Sequence, residues 1–151
     1  MFIAPAALAQ ESLSDNLAGE WKLETGKFSS NSLIPDCHIE GEIEIARTAI
    51  PGTYTCNFVS EQICRQSEDA EPYTYYKVRQ SCSAQRVSDG VAIHSEVEEI
   101  IEFHSAFGAG SYLADNFVLR VTKSGLEMLG TQYDEVREVK ARFWRDLELT
   151  S

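Results

Sequence analysis

Apolar and charged residues alternate with a period of two through long parts of the chain, and this alternation constrains the fold more than any other feature. In CHIEGEIEIAR, residues 37–47, the isoleucines fall on one face and the glutamates on the other. In VAIHSEVEEIIEF, one face carries Val91, Ile93, Val97, Ile101 and Phe103. Successive side chains of a strand point to opposite sides of a sheet, so the pattern predicts half-buried strands with charged outer faces. Residues 96–103 also suit a helix, but their β-branched residues favour a strand.

The same alternation predicts eight strands. They lie near residues 19–25, 37–47, 53–65, 73–87, 91–103, 115–123, 126–133 and 137–146. Glycine-containing turn sequences separate several of them, such as IPG at 50–52 and SDG at 88–90. Sequential strands joined mostly by short turns predict an all-β, eight-stranded antiparallel up-and-down barrel, because closure removes exposed sheet edges. A two-sheet sandwich would give much the same pattern and is the alternative fold.

Four cysteines, Cys37, Cys56, Cys64 and Cys82, predict two disulfides between neighbouring strands. Their even number and the absence of Cys-x-x-Cys favour disulfides over zinc or redox chemistry. A hairpin that turns at residues 50–51 sets Cys37 near Cys64, and one that turns at residues 69–70 sets Cys56 near Cys82. Neighbouring strands bring such pairs within bridging distance.

The first nine residues, MFIAPAALA, are apolar and end in Ala-Leu-Ala, as the end of a secretory signal does. We therefore expect residues 1–9 to be a signal-peptide remnant, residues 10–18 an N-terminal segment and residues 19–151 a single barrel domain. The segment is too short to span a bilayer. Together with the cysteines, it predicts a periplasmic or secreted protein.

Composition excludes several function classes. The 24 acidic and 13 basic side chains give a net charge of -11, which disfavours binding to nucleic acid or to an anionic membrane surface. His38, His94 and His104 lack metal-ligand spacing, and Glu96 and Glu98 lie on an open strand face rather than in a cleft. No nucleophile elbow, phosphate loop or dinucleotide motif occurs. We therefore expect no enzyme activity, no metal and no cofactor.

The inward aromatic and aliphatic residues are the candidates for a binding site. The predicted cavity-lining residues are Tyr54, Phe58, Tyr76, Val78, Phe117, Leu119, Met128 and Phe143. Eight strands enclose a space that side chains just fill or that holds one small ligand. The sequence leaves both alternatives open.

Gly19-Glu20-Trp21 resembles the Gly-x-Trp motif of the lipocalins and their calycin relatives. In that family the tryptophan lies at the closed end of an eight-stranded barrel, and an arginine near the end of the last strand packs across it. The resemblance implies that Gly19, Trp21 and Arg145 form such a structural anchor. Arg145 is preferred to Arg142 because it shares the inward parity of Phe143. The resemblance also implies a barrel that binds a small hydrophobic molecule.

A second resemblance suggests a different function. SLSDNLAGEWKL followed by CHIEGEIEIARTAIPGTYTC is similar in layout to the small exported bacterial inhibitors of serralysin-type metalloproteases. It implies that residues 10–16 enter the cleft of a secreted protease, and it implies a Cys37–Cys56 disulfide. We expect a non-catalytic ligand-binding barrel. The alternatives are this protease inhibitor and a structural periplasmic protein whose acidic outer face meets a protein partner.

Overall fold

A computed structural model describes residues 15–29, 36–65, 74–105 and 112–146, and its strands form a closed antiparallel barrel in chain order. The strands are β1 Gly19–Thr25, β2 Asp36–Arg47, β3 Thr53–Arg65, β4 Thr74–Val87, β5 Gly90–Ser105, β6 Asn116–Val121, β7 Glu127–Tyr133 and β8 Glu138–Trp144. This confirms the predicted up-and-down barrel and excludes the sandwich. The predicted strand ends differ from the observed ones by no more than two residues.

Some predictions concern residues outside this description. The signal remnant at residues 1–9, most of the N-terminal segment and residues 106–111 of the long loop before β6 lie outside the described ranges. The lowest described residue number is Asp15, four residues before β1.

Alternation of burial follows the predicted period of two most clearly in β3. Its buried residues are Tyr54, Cys56, Phe58, Ser60, Gln62 and Cys64. β2 likewise buries Ile39, Ile43 and Ile45 and exposes Glu40, Glu42 and Glu44. These two strands therefore turn one face to the interior and a charged face to solvent.

The structure contains two disulfides, as predicted, and pairs them as the strand register predicts. Cys37 bonds Cys64 across β2 and β3, and Cys56 bonds Cys82 across β3 and β4, with Cα–Cα distances of 4.0 and 4.8 Å. The Cys37–Cys56 pairing implied by the inhibitor resemblance is wrong. Cys56 lies opposite Ile45, near the other end of β2 from Cys37.

The predicted inward position of Ile101 in β5 is wrong, because two bulges interrupt the alternation after Val97, whereas Phe103 lies opposite the buried Tyr76 as predicted. Val78 pairs with Ile100 and Lys77 pairs with Glu102, so Ile101 has no partner on β4 and is 44% exposed. A bulge places two residues of one strand opposite one of the other and reverses the facing of those that follow. Ile100, not Ile101, therefore shares the inward side with Val97.

The last part of β5 also extends past its other neighbour. β5 pairs with β6 over only four positions, from Gly90 to Ile93, whereas it pairs with β4 along most of its length. The barrel is thus joined at β5 and β6 by one short ladder. Asn116 extends this contact through its side chain, whose Oδ1 accepts a hydrogen bond of 2.9 Å from the Ser95 amide.

One end of the barrel is closed by Trp21 and Arg145, and we call it the closed end. Trp21 is 1% exposed, and the Arg145 guanidinium carbon lies 4.1 Å from the centroid of its indole ring. The Arg145 side chain donates hydrogen bonds to the carbonyls of Gly125, Ala18 and Asn16 at 3.0, 3.1 and 2.9 Å. Trp21 Nε1 donates to the Leu17 carbonyl at 2.9 Å. We call these contacts the Arg145 clamp.

Gly19 belongs to the same end. Its φ of 131° is a backbone conformation that side chains rarely adopt, and a Cβ atom there would lie 3.8 Å from Arg145 Nη1. The residue thus lets the chain turn from Ala18 into β1 beside the guanidinium.

Replacing Arg145 by lysine tests the clamp. Lysine cannot reproduce the planar set of donors, so buried carbonyls lose their partners and the free energy of unfolding should fall by about 3 kcal/mol. The measurement is urea unfolding at neutral pH.

Arg142→Lys is the matched control. Arg142 also lies over a tryptophan, with its guanidinium carbon 4.5 Å from the Trp144 ring centroid, but its side chain is 44% exposed. We expect a loss of less than about 1 kcal/mol there. Equal losses in the two variants would contradict a special role for the buried clamp.

Candidate functional site

The barrel encloses a continuous apolar core, which extends from Trp21 at the closed end to Phe28, Cys37 and Cys64 at the opposite end. It contains six of the eight predicted lining residues, namely Tyr54, Phe58, Phe117, Leu119, Met128 and Phe143. The Phe117 ring centroid lies 6.2 Å from that of Phe58 and 4.9 Å from that of Phe143, both at edge-to-face angles. Such packing is typical of a filled core. These six residues therefore stabilise the fold.

Tyr76 and Val78 are also buried, but they lie outside that core cluster. The Tyr76 ring centroid is 4.8 Å from that of Phe103 and 5.2 Å from that of Tyr112. We call these three rings the aromatic wall. The wall belongs to the half of the barrel away from the closed end, which we call the far end.

Inward positions toward the far end carry polar side chains, which the sequence-based list of candidates omitted. The buried ones are Ser60, Gln62, Thr74, Gln80, Ser95, Asp115 and Gln132. One signal was present in β3, where the inward series Tyr54, Cys56 and Phe58 continues as Ser60 and Gln62. Burial of so many polar groups costs stability unless each is hydrogen-bonded.

Asp115 joins several of these groups in one network. Gln80 Nε2 and the Tyr112 hydroxyl donate to Asp115 Oδ2 at 2.8 and 2.7 Å, and Gln132 Nε2 donates to Oδ1 at 2.8 Å. The Asp115 amide donates to Gln80 Oε1 at 2.9 Å. Gln80 Nε2 also lies 3.4 Å from Ser60 Oγ. This Asp115 network connects β3, β4 and β7 through the interior.

Burial changes the acidity of the network. It raises the pKa of Asp115 from 3.8 to about 6, although hydrogen bonds from Tyr112 and Gln80 and the charge of Arg137 act in the opposite direction. Burial and the neighbouring Asp115 raise the pKa of Tyr112 well above its ordinary value. At neutral pH the network therefore consists of a carboxylate and a protonated phenol that donates to it.

Arg137 provides a second cluster at the far end. Its Nη2 donates to Gln62 Oε1 at 3.2 Å and forms an ion pair of 3.3 Å with Asp134 Oδ2. Its guanidinium carbon lies 4.0 Å from the centroid of the Phe28 ring. The charge of Arg137 is thus already balanced by a carboxylate and supported by an aromatic face.

Several buried polar atoms have no hydrogen-bond partner among the described residues. They are Thr74 Oγ1, Ser95 Oγ, Gln132 Oε1, Asp134 Oδ2 and Arg137 Nε. Asp134 Oδ2 makes no hydrogen bond, but it does form the ion pair with Arg137. Native proteins leave few such atoms, and each calls for an explanation such as a bound molecule. We therefore take the Asp115 network, the Arg137 cluster and the aromatic wall as the candidate site, called the far-end site below.

The remaining titratable candidates lie on the outer surface. His38 Nε2 lies 3.1 Å from Glu40 Oε2, His104 Nε2 lies 3.1 Å from Glu102 Oε2, and His94 is exposed. Glu96 and Glu98 are also exposed. Within residues 15–29, 36–65, 74–105 and 112–146, no three His, Cys, Asp or Glu side chains are grouped so as to hold a metal ion.

A groove among the described residues is also external. It has a volume of about 490 Å³ and runs over outward residues of β1 to β4, including Lys22, Glu42, Glu61 and Lys77, with Trp144 at its side. Both signs of charge line it, and its β3 and β4 residues point to the opposite side of the sheet from Ser60, Gln62 and Tyr76. We assign it no role.

No protein-family model matches the chain, and no curated protein matches it significantly. The fold alone therefore defines the class, an eight-stranded antiparallel closed barrel that is compatible with a lipocalin-like fold. The two disulfides are consistent with an oxidising, exported compartment. Across the described ranges there is no helix of the length and apolarity needed to cross a membrane.

The raised pKa of Asp115 predicts a specific pH dependence of stability. A carboxyl whose pKa is about 6 when folded and 3.8 otherwise binds its proton more tightly in the folded state. The contribution of Asp115 to the free energy of unfolding is therefore greatest below pH 4 and is lost as the pH rises through 6. Relative to Asp115→Asn, which cannot titrate, the wild-type free energy of unfolding should rise by up to about 3 kcal/mol between pH 7 and pH 4.

Urea unfolding of both proteins at several pH values measures this difference. The test is how the free energy of unfolding changes with pH in each protein. The difference between the proteins at a single pH is not used, because asparagine also alters the hydrogen bonds from Gln80 and Gln132. Parallel stability curves for the two proteins would contradict the raised pKa.

Proposed function

We propose that this protein is an exported, non-catalytic barrel that binds a small molecule at the far-end site. The observation that carries the proposal is the set of buried polar atoms without partners that lies in the same half of the barrel as the aromatic wall. Small-molecule sites typically combine apolar and aromatic side chains with a few polar groups that fix the orientation of the ligand. The far-end site has this composition.

The structure of the interior narrows the expected ligand. Phe58, Phe117 and Phe143 pack edge to face within the apolar core, so a purely hydrophobic molecule would have to displace packed core residues. At the far end an apolar body would contact Tyr76 and Phe103, while a polar group would contact the Asp115 network. The favoured ligand is therefore amphipathic.

Two further observations support a lipocalin-like, exported binder. The Arg145 clamp over Trp21 has the arrangement that the Gly-x-Trp resemblance implies, and it occurs in a closed barrel of eight strands. The two disulfides favour a periplasmic or secreted location, where such bonds persist. The short apolar segment at residues 1–9 agrees with the same location.

Thermal unfolding in the presence of candidate ligands tests the proposal. The probes are a medium-chain fatty acid, a medium-chain amine, retinol and haem. A molecule that binds only the native state stabilises it by about 2.7 kcal/mol when its concentration is 100 times its Kd, so Tm should rise with the concentration of a true ligand. Tyr76→Leu should abolish that rise.

Tyr133→Leu is the matched control, because Tyr133 lies on the outer side of β7 and is 38% exposed. It should retain the full ligand-dependent rise in Tm. If none of the four probes raises the Tm of the wild-type protein, the binding proposal is wrong.

Inhibition of a secreted metalloprotease is the second candidate function, and the base of the N-terminal segment favours it. Leu17 is fully buried, and the Arg145 clamp binds the carbonyls of Asn16 and Ala18. Any chain before Asp15 therefore leaves the barrel from a fixed point at the closed end. Such anchoring reduces the entropy lost when a preceding segment enters a protease cleft.

Two truncations separate this function from barrel stability. Removal of residues 1–14 should abolish inhibition of a serralysin-type protease without changing Tm, because the clamp remains. Removal of residues 1–18 should also lower Tm, since it deletes carbonyls that Arg145 binds. An intact protein that does not inhibit the protease would eliminate this candidate.

A further inference from the structure

We propose that the ligand of the far-end site is an amphipathic amine, and that the Asp115 network and the orphaned acceptors beside it bind its protonated amino group. This inference rests on the proposed ligand-binding function. It adds the chemical class of the ligand, which follows from the balance of donors, acceptors and charges in the site.

The polar atoms without partners are mainly acceptors. Four of the five can accept: Gln132 Oε1 and Asp134 Oδ2 can only accept, the second already having an ion pair with Arg137, and the hydroxyls of Thr74 and Ser95 can accept as well as donate. Arg137 Nε is the one orphaned atom that can only donate. A ligand group rich in donors therefore satisfies more of these atoms than a group rich in acceptors.

Gln132 links this excess of acceptors to the Asp115 network. Its Nε2 donates to Asp115 Oδ1 at 2.8 Å, and the oxygen of the same amide is buried without a partner. A donor placed at Gln132 Oε1 would therefore also lie close to the Asp115 carboxylate. An ammonium group has three donors and no acceptor, which suits this arrangement.

The charges facing the site favour a cation. Among the described residues they are Asp115 from the segment before β6, and Asp134 and Arg137 from the link between β7 and β8. Arg137 forms its ion pair with Asp134, whereas the hydrogen bonds to the Asp115 carboxylate come from the neutral groups Gln80, Gln132 and Tyr112. The two carboxylates outnumber the single cation, and the charge of Arg137 lowers the pKa of Asp115 by less than burial raises it. A bound ammonium would supply the missing charge.

The aromatic wall suits the rest of such a ligand. The Tyr76 ring centroid lies 4.8 Å from that of Phe103 and 5.2 Å from that of Tyr112, and Tyr112 also donates to Asp115. Aromatic faces attract both apolar groups and cations. A carboxylate ligand, in contrast, would place its negative charge near Asp115 and Asp134. The site should therefore discriminate against fatty acids.

Three compounds with the same alkyl chain test this inference: decylamine, N-decylacetamide and decanoate. Their affinities for the wild-type protein at neutral pH are measured by isothermal titration calorimetry. We expect decylamine to bind at least about tenfold more tightly than either of the others, a ratio that a desolvated charge contact readily provides. If decanoate or the amide binds as tightly as the amine, the inference is wrong while the proposed function stands.

If none of the three compounds binds, while retinol or haem raises Tm, the inference is also wrong and the proposed function stands. If no probe of any kind binds, both fail. The comparison of head groups uses the wild-type protein, so it decides the question even where a variant does not fold.

The variant Asp115→Asn then tests whether Asp115 is the group responsible for the preference for the amine. The variant should lose the preference for decylamine over the amide, while the affinity for the amide changes little. Glu96→Gln is the control, because it removes an exposed charge from β5 and should keep the preference. Retention of the amine preference in Asp115→Asn would contradict the role of Asp115.

Discussion

The pairing of β1 with β8 is the interaction on which the rest of the structure depends. Only four positions of each strand pair, Lys22 to Thr25 with Trp144 to Ala141, yet they turn an open sheet into a barrel. Closure gives every strand two neighbours and encloses the inward side chains. The Arg145 clamp strengthens this short ladder, since an arginine directly after β8 binds carbonyls directly before β1.

The enclosed interior then combines two kinds of buried side chain along the same strands. Next to the closed end, aromatic and aliphatic residues pack edge to face and provide the apolar burial that stabilises a domain of this size. Toward the far end, the same inward positions carry glutamines, serines and Asp115. Polar burial of this kind contributes little to stability and is commonly retained for function.

Much of the fold could be predicted from the sequence because it is encoded locally. The period of two in β2 and β3 and the glycine-containing turns defined the strands, and hairpin register alone gave both disulfides. The bulges of β5 could not be predicted, since alternation in one strand does not show how its partner is paired. The sequence pattern therefore predicted an inward Ile101, whereas the register leaves Ile101 without a partner on β4.

The far-end site was not predictable for a different reason. Gln80, Asp115 and Gln132 are far apart in sequence and lie on three different elements, so no spacing links them. Asp115 looked like an ordinary loop residue beside a Gly-rich segment, and only the closed barrel brings it into the interior. The aromatic candidates, in contrast, were correctly expected to be inward, but inward position does not tell a packed core from a binding site.

The two disulfides share one strand, and this makes the barrel wall uneven. β3 is covalently joined to β2 through Cys64 and to β4 through Cys56, so three adjacent strands form a cross-linked panel. The opposite side has no such bonds among the described residues, and β5 and β6 share only four paired positions. Local opening requires least free energy where the fewest contacts must break. The panel therefore acts as a rigid frame, while the two ladders of four positions, β5–β6 and β1–β8, are where the fewest pairs must break, and the Arg145 clamp reinforces the second of them.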